Sequence, residues 1–147
     1  MIGKPSVMII FFLAMTFAVP ATGWSREALP SLDSGSVPPE GTIHIMDAVV
    51  CQDVVDRQPI GTGEVIPKDS AKIYCFTRVV GALKDTMVIH NWYYQGVLKS
   101  SVQLTVGSPN WRTWSTKALD PGMVGQWMVE VLSENGSPLG SLIFFVQ

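Results

Sequence analysis

The chain of 147 residues is 47% hydrophobic, 10% aromatic and 15% charged, which supports one domain with a modest core and is too short for a large two-domain enzyme. Its formal charge of −2 argues against a nucleic-acid partner, which calls for a basic field to neutralise phosphates. Five Trp and six Phe, together with many Val and Ile, exclude intrinsic disorder over most of the length.

At the amino terminus Lys4 supplies a short positive region, and Val7 to Val19 is apolar (VMIIFFLAMTFAV). Pro20 breaks this stretch, and the small residues Ala21, Thr22 and Gly23 follow. This is the layout of a secretory signal peptide, expected over residues 1–21, with cleavage after Ala21 or after Gly23. As a helix the apolar stretch rises only about 20 Å, short of a hydrocarbon core of roughly 30 Å. A cleaved leader is therefore preferred to an N-terminal membrane anchor, with no membrane span afterwards and a periplasmic or secreted location. Residues 22–41 mix Pro30, Pro38 and Pro39 with Ser31, Ser34, Gly35 and Ser36. Such a stretch buries too little surface to offset its ordering entropy and reads as a flexible linker. A domain over residues 42–147 remains.

That domain shows strand patterns and no helical period. Thr42 to Cys51 is expected to set Ile43, Ile45, Val49 and Cys51 on one face. Lys72 to Val80 follows, then Met87 to Tyr94, apolar on both faces as a central strand should be. Gln95-Gly96 turns the chain into Val97 to Val106, where Leu98, Val102, Leu104 and Val106 are expected to face inward. Asn110 to Ala118 is extended, and Pro121-Gly122 leads into Gly125 to Leu132, with Trp127, Val129 and Val131 on one face. Asn135-Gly136 carries the signal of a type I′ turn before a last strand over Leu139 to Val146. Seven strands in this length predict an all-β fold: a two-sheet antiparallel β-sandwich, immunoglobulin-like or a related Greek key. A small β-barrel is the alternative.

Several blocks then stand out together: CQDVVDRQP (Cys51 to Pro59), YCFTR (Tyr74 to Arg78), HNWYY (His90 to Tyr94) and WRTWSTK (Trp111 to Lys117). The closing pattern of Gly125, Trp127, Val129, Val131, Gly136, Leu139, Phe144 and Val146 completes the series. In this order they resemble the bacterial domain of unknown function family DUF 2914, over nearly all of Ile43 to Val146. The resemblance implies an extracytoplasmic or membrane-tethered β domain. It supplies no catalytic residues.

The candidate chemistry centres on the WRTWSTK block. On a strand, Trp111, Thr113, Ser115 and Lys117 share one face and Arg112, Trp114 and Thr116 the other, so one Trp is expected in the core and one outside. An exposed Trp beside Arg or Lys can stack on a sugar ring or help hold an anion. The competing reading has Trp111 in the core and Arg112 bridging local carbonyls or Asp56. Arg57, Arg78 and Tyr94 are placed around this strand as further contact residues. Asp56-Arg57 with Pro59 also reads as a turn locked by an ion pair. His90 reads as a hydrogen-bonded core histidine. His44 is the only other His, so no zinc site, which needs three or four convergent donors, is expected. A loop Ca²⁺ site from Asp53, Asp56, Glu64 and Asp69 stays open but is disfavoured, since these residues lack the alternate spacing of a calcium loop; no cofactor is expected.

Neither a nucleophile elbow nor a zinc-protease helix occurs, and Gly61-Thr62-Gly63 lacks the Lys of a phosphate loop. Cys51 and Cys75 are the only cysteines. An even count in an exported chain favours a disulfide between the sheets, which would contribute about 3 kcal/mol in the chain-entropy model. Two buried free thiols are the alternative. The expectation is thus a non-enzymatic, exported module that binds an envelope protein, peptide or cell-wall glycan. The rivals are an envelope enzyme using His90 or Ser115, or a structural accessory domain.

Overall fold

A computed structural model describes residues 41–147. The expected signal peptide over residues 1–21 and all of the expected linker except Gly41 lie outside the described residues. The described chain is built from ten strands without a helix: β1 (His44–Cys51), β2 (Asp53–Val55), β3 (Gln58–Ile60), β4 (Val65–Ile66), β5 (Lys72–Val80), β6 (Thr86–Tyr94), β7 (Val97–Val106), β8 (Asn110–Ala118), β9 (Gly125–Ser133) and β10 (Pro138–Val146). The seven long strands are those the alternation predicts. The β2–β3 hairpin and the two-residue β4 are additions, too short for a periodic pattern to register.

One sheet runs β1-β5-β8 and the other β4-β10-β9-β6-β7. Pairing is antiparallel throughout, apart from the parallel contact of β4 with β10. If the long strands are lettered A, B, C, C′, E, F and G in chain order, the sheets read A-B-E and G-F-C-C′. This is the Greek-key order of an immunoglobulin-like sandwich. Neither sheet closes on itself, which sets the barrel alternative aside.

The inner faces fill with alternate residues of each strand. Trp92, Trp127, Val129, Phe144, Ile66, Ile73 and Cys75 form one end of the core. Val79, Ala82, Val88, Val106 and Val131 form the other. Trp127 stacks on Phe144, and Trp92 meets the same ring edge-on, which are favourable aromatic geometries. At the β5–β6 corner Gly81 has φ +91°, and a Cβ there would stand 2.5 Å from the Thr42 carbonyl oxygen. Only glycine fits that approach.

Two bulges change the expected faces. The ladder between β1 and β5 shifts register between Ile45 and Asp47. One extra residue reverses every later side chain. Ile43 and Ile45 therefore point into the core, while Val49 and Cys51 lie on the outer face with Tyr74 and Phe76. The four were expected on one face. The second shift, where Trp92 and Tyr93 oppose Ser100 and Leu98, leaves Leu98 50% exposed instead of buried.

The Asn135-Gly136 turn is also not type I′. Only Gly136 of the pair has positive φ, its N–H donates to the Ser133 carbonyl at 2.9 Å, and β10 bulges between Pro138 and Gly140. A type I turn followed by a left-handed glycine describes it. Asp56-Arg57 (φ 50° and 59°) and Gln95-Gly96 (φ 47° and 79°) instead have the two successive positive φ values of type I′ turns. The first of these turns closes the β2–β3 hairpin. That hairpin folds over the outer face of the three-stranded sheet, where Val54 packs with Cys51, Tyr74, Phe76 and Trp114.

Candidate functional site

Strand β8 carries the WRTWSTK block on the edge of the three-stranded sheet. Its inward residues are Trp111, Thr113, Ser115 and Lys117; its outward ones are Arg112, Trp114 and Thr116. Both tryptophans are half-buried. Trp111 packs on the Val79–Val131 end of the core, and Trp114 stacks on Phe76 with ring centroids 6.5 Å apart. Neither is the free outer indole that one side of the strand was expected to present.

What the fold gathers is arginine. The Arg57 guanidinium lies over the Trp111 ring, 5.3 Å from its centroid, and Nη2 donates to the Arg112 carbonyl at 3.3 Å. Arg78 is the direct cross-strand partner of Arg112, and its Nε donates to Asn110 Oδ1 at 2.9 Å. Arg57, Asn110 and Arg112 line a recess of about 280 Å³. The Asp56-Arg57 turn is present, but Arg57 is held by a carbonyl and an aromatic face and not by the expected ion pair. Asn110 escaped the sequence reading, since an Asn at the start of a strand carries no signal of its own.

Tyr94 and Lys117 belong to the other end of the sandwich. Tyr94 packs against Trp127 at 5.0 Å and donates its hydroxyl to the Val124 carbonyl. Lys117 is the partner of Ile73 near the start of β5. The seven contact residues chosen from sequence therefore form no single surface. Arg57, Arg78, Trp111 and Arg112 come together, with Trp114 beside them under the hairpin. A larger groove, about 990 Å³ and lined in part by Ile43, Leu83 and Leu139 where β1 begins, contains none of the seven.

His90 and Ser115 meet between the sheets. Thr77 Oγ1 donates to the Thr113 carbonyl at 3.4 Å, so its lone pair receives the His90 Nε2–H at 3.3 Å. Ser115 Oγ receives the Trp92 Nε1–H at 3.0 Å and donates to His90 Nδ1 at 2.8 Å. Every proton in the chain is used, and the imidazole is the neutral Nε2–H tautomer. Burial pushes its pKa down to about 4, because the charged form loses its hydration. His90 is thus the core histidine the sequence suggested, fully buried.

The disulfide expectation is corrected: Cys51 and Cys75 are free and buried. They sit on adjacent strands of the same sheet, where Cys51 opposes Tyr74 and Val50 opposes Cys75. Side chains one position out of register point to opposite faces, so these two diverge. In the immunoglobulin-like order a bridge to Cys75 would come from β9, which has no Cys. Burial pushes the Cys51 thiol up to about 11 and the Cys75 thiol to about 12, which keeps both protonated and unreactive at neutral pH. Among the described residues no three His, Cys, Asp or Glu side chains stand together as metal ligands.

The fold and the arginine cluster define a small immunoglobulin-like sandwich with a basic recess at a sheet edge. Residues 85–146 match the model of a family described as protein of unknown function (DUF2914), and the resemblance read from the sequence holds there. The match begins just before β6 and runs through β10, so the CQDVVDRQP and YCFTR blocks, Arg57 and Arg78 precede it, while Trp111 and Arg112 fall within it. No curated protein matches the chain.

Proposed function

We propose that the protein is an exported, non-enzymatic β-sandwich module that binds an envelope partner, a protein, peptide or cell-wall glycan, at the β8 edge beside the β2–β3 turn. The observation that carries this reading is the convergence of Arg57, Arg78 and Arg112 on one exposed corner. Arg78 and Arg112 stand directly opposite each other, an arrangement of like charges that disfavours the fold and that an anionic partner would offset. The rival enzyme reading depends on His90 and Ser115. Both are enclosed by the two sheets with their hydrogen bonds satisfied, leaving no path for a substrate to the imidazole.

The test is retention of an envelope component on the immobilised chain. Arg57→Ala and Arg112→Ala are expected to lose the component that the parent chain retains, with melting temperatures within a few degrees of the parent. Equal retention by both variants overturns the proposed surface.

A further inference from the structure

We infer that the recess between Arg57, Asn110 and Arg112 is a site for an oxyanion, a phosphate or carboxylate group carried by the ligand. This inference rests on the proposed binding surface and names the chemistry that the surface recognises.

The first argument is distribution. Residues 41–147 contain three arginines, Arg57, Arg78 and Arg112, and five lysines. All three arginines meet at this corner, although they come from a hairpin turn, a central strand and an edge strand, whereas Lys72 and Lys99 lie against Tyr74 and Tyr94 elsewhere. Arginine differs from lysine in its planar fork of donors, which suits the paired oxygens of carboxylate and phosphate. Segregating it in a chain of net negative charge serves recognition of a planar or tetrahedral anion better than it serves solubility.

The second argument is how the forks are held. Arg57 sits in a left-handed conformation (φ 59°) at the tip of the hairpin, which is an uncommon backbone for a non-glycine residue. The turn swings its guanidinium onto Trp111, and the aromatic face below and the Arg112 carbonyl beside it fix the plane. Asn110 Oδ1 takes the Arg78 Nε–H and so orients its own amide group. Both arginines spend these bonds on neutral oxygens, so their positive charge stays available. Asp47 is the neighbour of Arg78 on the β1 side, away from Arg112, and Asp56 precedes Arg57 in the hairpin turn.

The third argument is size and stacking. A recess of about 280 Å³ falls at or below the lower bound for drug-sized ligands, roughly 300 Å³, and suits a small charged group with bridging water. The indoles are engaged, Trp111 by Arg57 and Trp114 by Phe76, so the corner offers guanidinium donors in preference to an open platform for a sugar ring.

The experiment titrates the full chain with sodium phosphate and, separately, sodium acetate at fixed ionic strength, following amide, arginine Nε–H and indole resonances. Saturable shifts confined to Arg57, Asn110, Trp111 and Arg112 are expected at millimolar concentrations of at least one anion. Arg57→Gln and Arg112→Gln should each raise the dissociation constant tenfold or more, while Lys99→Gln at the far end leaves it unchanged. The tighter anion identifies the source as phosphoryl or carboxyl. The inference is overturned if neither anion saturates, if both glutamine variants bind like the parent chain, or if shifts spread equally over the lysines. If envelope retention depends on Arg112 but no anion binds, this inference fails and the binding surface stands. If the anions bind and no partner is retained, the reverse holds.

Discussion

His90 Nδ1 and Ser115 Oγ stand 2.8 Å apart, one on each sheet of the sandwich. A Ser–His contact at this distance has the geometry of an activated nucleophile, yet here the serine also receives the Trp92 indole N–H and both residues are closed off from water. The pair links β6 to β8 through the core, and Thr77 joins the link from β5.

Ser115→Ala removes one hydroxyl and leaves two buried groups, the Trp92 N–H and His90 Nδ1, without partners. At about 1–3 kcal/mol for each stranded group, the loss is expected to be about 3 kcal/mol in denaturant unfolding. A loss below about 1 kcal/mol, within the range of a simple exposed substitution, would show that the network is not closed as described.

Stability should fall with acid because of His90. Its folded pKa is lowered to about 4 from an ordinary value near 6.5. The unfolded chain therefore binds the extra proton between these values, and stability rises with pH across that window. The His90 contribution is complete above about pH 6.5 and is lost progressively down to about pH 4, amounting to about 3 kcal/mol. Unfolding curves at stepped pH for the parent and His90→Gln should show a steeper slope in the parent. Parallel slopes would contradict a neutral buried imidazole.

Arg78 and Arg112 oppose each other as direct cross-strand neighbours. Replacing Arg112 with Gln is expected to raise stability by about 0.2–1 kcal/mol at low salt, with the gain shrinking as salt screens the charges. A decrease at low salt would mean that the guanidinium contributes packing that outweighs the repulsion.

Gln95 holds φ 47° in the β6–β7 turn, and asparagine tolerates that region better. Gln95→Asn should stabilise by about 0.5–1 kcal/mol, read as a higher denaturant midpoint with an unchanged slope. Its amide contact to Tyr94 Oη is 3.3 Å, and losing it offsets only part of the gain.

Much of the fold was legible because strands of nine or ten residues leave a period that survives one irregularity. Trp127, Val129 and Val131 are buried as their alternation demands. The faces depart from simple alternation where a bulge inserts a single residue, at Met46 in β1 and beside Leu98 in β7. Nothing in the local composition distinguishes those positions from regular strand. The site was legible as a set of residue types and not as a place. Arg57 and Arg112 are 55 positions apart, and only the fold of the β2–β3 hairpin across the sheet joins them. Lys117 shares the β8 strand with Trp111 and Arg112, but strand direction carries it, like Tyr94, to the opposite pole. Neither an even cysteine count nor apolar neighbours can sense that a one-residue offset sends the Cys51 and Cys75 side chains apart.

The divergent thiols give the molecule two internal clocks. Cys51 is shielded in part by a small flap, the β2–β3 hairpin, which is hydrogen-bonded as a separate two-stranded sheet; Cys75 is shielded by the layers themselves. A slow alkylating reagent should modify the first in proportion to the population with the flap open, and the second only in proportion to the globally unfolded population. The ratio of the two rates measures how loosely the flap, and with it the Arg57 fork, is tethered to the body of the protein.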